Sequence, residues 1–219
     1  MDQAVYSYSK DQELFFFNQF PVLHGVTTTY FGDCSKGRQR EKIKKLVVAD
    51  AVFGLTVEHG SRLRIINEKS EEKFPLCDGL FFVNTNDSFR PVIISAIGDC
   101  PTIFFTTGSK EFIGNVHAGR KSTSQNIAGL SVNKISDYLI IPREKIKAAI
   151  FTGIGPCCYK GLNLGAIIFG QLIEAGMLRE NIIKPDLCSA HHLSDKGDFM
   201  FFSHRRDGNG ERNHAFITL

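Results

Sequence analysis

The chain has 219 residues, a formal net charge of +3, and 42% hydrophobic against 22% charged residues. That is enough chain for one sizeable core and short for two, and it is too weakly basic to argue for a nucleic-acid partner. No apolar stretch nears the roughly 18 residues of a membrane helix, and the opening MDQAVYSYSKDQE lacks the apolar core of a signal peptide, so a cytoplasmic protein with no membrane partner and with reduced cysteines is expected.

In chain order, ELFFFNQFPVLHGVTTTYFG reads as an extended opening that ends in a turn at Gly32-Asp33. The basic run KGRQREKIKK reads as a solvated face, and RQREKIKKLVVADAV carries a short helix. FGLTVEHG and RLRIIN are expected as strands around a turn at Gly60-Ser61, and DGLFFVNTN as another strand. PVIISAIG, TIFFTTG and EFIGNVHA are apolar and β-branched without alternation, which predicts strands buried on both faces. SQNIAGLSVNKISDYLI places Ile127, Leu130, Ile135 and Leu139 roughly on one helical face, with Ser122 to Ser124 offering N-caps. KAAIFTGIG reads as a strand, LGAIIFGQLIEAGM as a helix ended by Gly176, and FMFFSHRRDGNGERNHAFITL as two strands around a Gly-rich turn. With no repeat and no linker, the expectation is one α/β (α+β) domain over residues 1–219, built on a mixed sheet flanked by helices.

Three segments repeat one arrangement. TVEHG, GDCPT and NVHAG each read as a strand end carrying a metal-ligand side chain, His59, Cys100 and His117, beside small or turn-forming residues. Two imidazoles and a thiolate suit zinc, and three protein ligands leave a position for water or substrate. Asp99 is the nearest acceptor in sequence to orient a ligand histidine, and it serves equally as a turn cap. Cys157 and Cys158 are adjacent, so from a regular strand one faces a pocket and the other the core. The Gly153 and Gly155 pair reads as a turn. Cys188, His191 and His192 form a rival metal cluster that lacks an evident fourth ligand. His204, Arg205, Arg206 and Arg212 make either a surface hairpin or an anion clamp.

Taken together and in order, VEHG, GDCPTIFF, VHAGRKST, GIGPCCY, DLC and FFSHRRDGNGE resemble the YfiH-like, laccase-domain family (Cu-oxidase-4, polyphenol oxidase, peptidoglycan editing factor) over nearly the whole chain. The resemblance implies a His-Cys-His metal site at His59, Cys100 and His117, with zinc as the metal and copper as the alternative. It also implies purine nucleoside and phosphate as ligands: phosphorolysis of adenosine, inosine, guanosine and methylthioadenosine, and deamination of adenosine. The chain departs from the family pattern at Tyr30, where Arg is usual, at Arg120 for Trp, at Ser122 for Gly and at Gly98 for Ala. Tyr30 and Arg120 fall where substrate contacts are expected.

On this reading Arg120, Lys121 and Thr123, at the start of a helix, bind phosphate or a ribose-linked group. Asp99 is the candidate acid/base, Arg206 a substrate contact from the C-terminal segment, and Cys157 or Cys158 a pocket residue. The alternatives are a copper-dependent polyphenol oxidase, a cysteine hydrolase or amidase using Cys100 or Cys157, and a metal-binding domain without activity. True multicopper sites use His-X-His pairs, and none of the seven histidines forms one. The oligomeric expectation is a monomer or homodimer.

Overall fold

The computed structural model describes residues 6–11, 13–151 and 153–219. Among the described residues, twelve strands form two six-stranded sheets. The first sheet runs β1 (Tyr6–Ser9), β2 (Leu14–Phe17), β3 (His24–Thr27), β12 (Asn213–Thr218), β7 (Pro91–Ile97) and β4 (Ala51–Gly54). The second runs β11 (Ile182–Ile183), β10 (Lys147–Phe151), β8 (Thr102–Thr106), β9 (Phe112–His117), β6 (Gly79–Val83) and β5 (Leu63–Ile66). Most pairings are antiparallel, but β4 with β7, β5 with β6 and β10 with β11 are parallel, so both sheets are mixed.

The sheets pack face to face, and helices cover their outer sides. Phe104 of β8 and Ile93 and Ile97 of β7 meet in the central core, while Ile103 and Phe105 of β8 face outward to α3 (Ile127–Leu139) and α4 (Leu164–Glu174). On the far side Val92 and Ile94 pack with Ile43 of α1 (Arg40–Leu46). Four layers explain why β8 and β9, antiparallel to each other, are buried at every position, a pattern more usual in parallel sheets. Asn115, fully buried on β9, pins the sheets together. It accepts from Ser95 Oγ at 3.1 Å and Thr102 Oγ1 at 3.0 Å, and its amide donates to Ala215 O at 3.0 Å.

Several expectations need correcting. The strand from FGLTVEHG stops at Gly54, so His59 lies in a bend with φ of 57°, and β4 and β5 belong to different sheets. Ser122 to Ser124 do not cap α3 but lie inside a separate short helix, α2 (Arg120–Ser124). The cap is Asn126, at φ 58°, whose side chain accepts from Gly129 N–H. Ile127 and Ile135 are buried as expected and Leu139 packs beside them, but Leu130 is exposed, and Ala128 and Val132 complete the buried face of α3. The C-terminal segment is no hairpin: Ser203 caps a short helix, α5 (His204–Asp207), before the single strand β12. Gly176, at φ 96°, does follow the end of α4. In the basic run, Arg40 and Lys42 lie over the rings of Phe74 and Phe31.

Candidate metal and substrate cleft

Strand parity places the site. Ile113, Asn115 and His117 share the inner face of β9, and His117 sits where that face runs out. Thr102 pairs with His117 across the ladder, so Cys100, two residues before β8 begins, arrives at the same end. His59 comes from the loop between β4 and β5. One ligand atom from each of His59, Cys100 and His117 lies within 4.8 Å of the others. The two imidazole rings meet edge to face at 5.0 Å. Gly119 leaves room for this convergence: a Cβ there would stand 3.1 Å from Cys100 Sγ and 3.1 Å from His117 Cε1. Two imidazoles and a thiol around a space that a methyl would fill are a donor set fitted to a zinc-like ion.

The carboxylate that faces His117 is Asp78, not Asp99. Asp78 precedes β6, whose register with β9 sets it opposite His117, and it also accepts the His117 N–H through its backbone carbonyl at 2.7 Å. Asp78 Oδ1 lies 3.5 Å from His117 Nδ1, an ion-pair distance, and among the described residues neither atom makes a hydrogen bond elsewhere. The other carboxylate oxygen accepts from Gly60 N–H at 2.8 Å, which ties the His59 loop to the site. With Nδ1 turned to Asp78, Nε2 is the nitrogen left for an ion. Burial opposes charge on His117, but Asp78 and the Cys100 sulfur outweigh it and raise its pKa to about 9. Asp78 itself, despite burial, is held below the usual range by His117 and by the Gly60 N–H. His59 is lowered, by partial burial first and by His117 second.

His59, Cys100 and His117 line a cleft of about 900 Å³, within the span of small-molecule sites. Arg120, Lys121, Arg205 and Arg212 line it together with His204, and Asp99 is the only carboxylate among the lining residues. Val57, Ile154, Tyr159 and Leu164 supply apolar wall, with the Arg205 guanidinium 5.0 Å above the Tyr159 ring. The Asp99 carboxylate accepts from Ser189 Oγ at 3.0 Å and from Arg205 N–H at 2.7 Å. Gly153, at φ 64°, lets the following loop lie against this segment, since a Cβ there would meet Asp99 O at 2.3 Å.

Other expected site residues lie elsewhere. Thr123 is buried, and its hydroxyl donates to Ala118 O at 2.9 Å rather than facing the cleft. Arg206 is spent internally on Asp207, Ala190 O at 2.8 Å and Phe201 O at 2.9 Å, and its neighbour Arg205 takes the cleft position. Tyr30 donates to Asp198 at 2.7 Å beside a separate small pocket. Cys157 faces His191 in another cavity, 330 Å³ in volume. His192 packs against Tyr6, Phe15 and Phe201 and is no ligand partner of Cys188.

Fold and site thus define a four-layer α/β protein with a His-Cys-His cluster in a cationic cleft. The family model for multi-copper polyphenol oxidoreductase laccase matches residues 35–162, more than half of the chain, and the chain belongs to that family. Among curated relatives it is 28% identical over 173 residues to the purine nucleoside phosphorylase YlmD of Geobacillus stearothermophilus, covering 65% of this chain. It is 27% identical over 202 residues to the mouse purine nucleoside phosphorylase LACC1, covering 78% of this chain. The chain spans 60% and 44% of those relatives' lengths, about half. The solved structure of Bacillus licheniformis YfiH superposes with a TM-score of 0.82 at 19% identity, over 99% of this chain and all of that one. That of YlmD gives 0.80 at 21%, over 98% of each chain. At these identities the structural matches speak for the fold. Among the described residues, no helix is long and apolar enough to cross a membrane.

Proposed function

We propose that this chain is a metal-dependent purine nucleoside phosphorylase that also deaminates adenosine, with zinc on His59, Cys100 and His117. The observation that carries this reading is the convergence of that cluster with four cationic side chains in one cleft. The names of the two curated relatives support it. When bound, the metal supplies Lewis acidity beside the reacting atoms.

The chain's own residues account for the rest. Arg120, Lys121, Arg205 and Arg212 gather a phosphate at the mouth. Ile154, Tyr159 and Leu164 offer an apolar face to the purine. In phosphorolysis a phosphate oxygen attacks ribose C1′ and the bond from C1′ to the base nitrogen breaks. The base leaves with that electron pair and is protonated, giving ribose 1-phosphate and free purine. Asp99, held by Ser189 and the Arg205 N–H, is the carboxylate that accepts or returns a proton at the cleft wall. Holding the anion in place before attack lowers the entropic part of the barrier.

The test is to assay adenosine and inosine with phosphate, chromatographing base and sugar phosphate, on protein of measured metal content. Base release that depends on phosphate, lost together with zinc in His117→Ala, is the expected result. Arg120→Ala and Lys121→Ala should each raise the phosphate KM about tenfold, the worth of one charge-assisted contact. Unchanged phosphate KM in both variants rejects the anion assignment, and turnover of metal-free His117→Ala rejects the metal.

A further inference from the structure

We propose that the chain binds a second metal ion of the structural zinc type on Cys157, Cys158, Cys188 and His191. This site is separate from the cleft cluster and does not depend on the activity proposed for it.

Four soft or borderline donors from two segments converge here. One ligand atom from each lies within 4.8 Å of all the others. Cys158 Sγ is 3.2 Å from His191 Nδ1, and Cys157 Sγ is 3.6 Å from Nε2 of the same ring and 3.8 Å from Nδ1. The edges of a zinc tetrahedron with thiolate and imidazole ligands are about 3.5–3.8 Å long, from the usual metal-ligand distances. The donors therefore stand close to coordination spacing.

The backbone explains how adjacent cysteines face one point. Residues 156–161 form a turn rather than a strand, closed by Cys158 N–H to Gly155 O at 3.1 Å and Gly161 N–H to Pro156 O at 3.0 Å. Side-chain alternation is thereby lost. Gly155 keeps the centre open: a Cβ there would stand 3.3 Å from Cys157 Sγ, 3.5 Å from Cys188 Sγ and 3.0 Å from Cys188 Cβ. Its N–H donates to Cys188 Sγ at 3.1 Å, the bond that commonly steadies a ligating thiolate. Cys188 is buried while Cys157 and His191 are exposed, so an ion can enter from solvent.

Four protein ligands close the coordination sphere, in contrast to the three of the cleft, and closed sets are structural. Here the ion would tie the turn of residues 156–161 to the segment around Cys188. The same loop carries Ile154 and Tyr159 into the wall of the cleft, so the ion sets the shape of the substrate site.

The probes are Co²⁺ and Zn²⁺ alone, on the full chain reduced beforehand. In Cys100→Ser, which loses the cleft thiol, cobalt uptake should persist at one ion per chain, with tetrahedral visible bands and an intense thiolate-to-cobalt band. The double variant Cys157→Ser/His191→Gln, made in the Cys100→Ser background so that the cleft supplies no thiolate, changes only exposed side chains. With circular dichroism matching the parent, it should lose that signal and bind Zn²⁺ at the second site more than about 100-fold more weakly, beyond the loss of an outer-shell partner. In the unmutated chain, Zn²⁺ should slow alkylation of Cys157 and Cys158 at least about tenfold, because a coordinated thiolate is a poor nucleophile. Cobalt uptake that disappears in Cys100→Ser, a thiolate band undiminished in the double variant, or unchanged alkylation rates would each overturn the proposal. None of these readouts involves nucleoside turnover, so a failed phosphorolysis assay leaves this result standing.

Discussion

Gly119 and Asp78 both shape the cleft cluster of His59, Cys100 and His117. Gly119 sits at φ −64° and ψ 172°, ordinary extended backbone for any residue. Gly119→Ala therefore introduces no backbone strain, only a methyl 3.1 Å from Cys100 Sγ and His117 Cε1. Zinc affinity measured by chelator competition should fall at least about tenfold with thermal stability nearly unchanged, since the cost is confined to the donors. Asp78→Asn keeps the shape but removes the charge facing His117, and should cost about 10–100-fold in metal affinity. A Gly119→Ala chain with parental affinity would show that the donors have slack. That His59, Cys100 and His117 belong together was legible from sequence, because their residue types and their order in the family motifs mark them. Asp78 was not, because its only signal is strand register, fixed by pairing β6 with β9 and absent from local sequence. Arg205 and Arg206 show the same limit at closer range. Adjacent positions on a helix point about 100° apart, and only the packing of α5 decides which one meets the cleft.

At the scale of elements, the apolar runs announced β7, β8 and β9 and their burial on both faces. They did not announce two stacked sheets, because parity within a strand does not say what covers each face. Where polar competition is local, the reading failed. Ser122 to Ser124 resemble caps, yet Thr123 N–H bonds to Gly119 O and the segment winds into α2 before Asn126 restarts the helix. Asn115 is a polar pin in the sheet interface, and it bears on function because β9 delivers His117. Asn115→Val fills similar space but leaves the Ser95 hydroxyl and Ala215 carbonyl without their buried partner. Urea unfolding should show a loss of about 2–4 kcal/mol, from lost bonds and unsatisfied groups. A smaller loss, under about 0.5 kcal/mol, would mean the sheets are held by apolar packing alone.

For the whole molecule, acid stability follows from histidines outside the cleft. His24 accepts the Phe17 N–H at Nε2 (3.0 Å), and its Nδ1–H donates to Val22 O at 2.7 Å, so the ring is neutral among aromatic side chains. His214 lies between the carbonyls of Arg38, at 2.9 Å, and Ser95, at 3.4 Å. Burial, only partly offset by these carbonyls, lowers both from 6.5 to about 4. The unfolded chain therefore takes up protons first as pH falls. Stability from this pair is intact above pH 6.5, declines between 6.5 and about 4, and loses nothing further from these rings below that. A shift of that size corresponds to about 3 kcal/mol per ring across that window. Urea midpoints should fall steeply from pH 7 to pH 4.5 on metal-free protein, before most carboxylates titrate. His24→Gln replaces the ring with a group that does not titrate, and it should flatten that slope even if it lowers stability at neutral pH. A slope unchanged in His24→Gln would place the acid sensitivity outside the core and contradict the neutral, buried state of this ring.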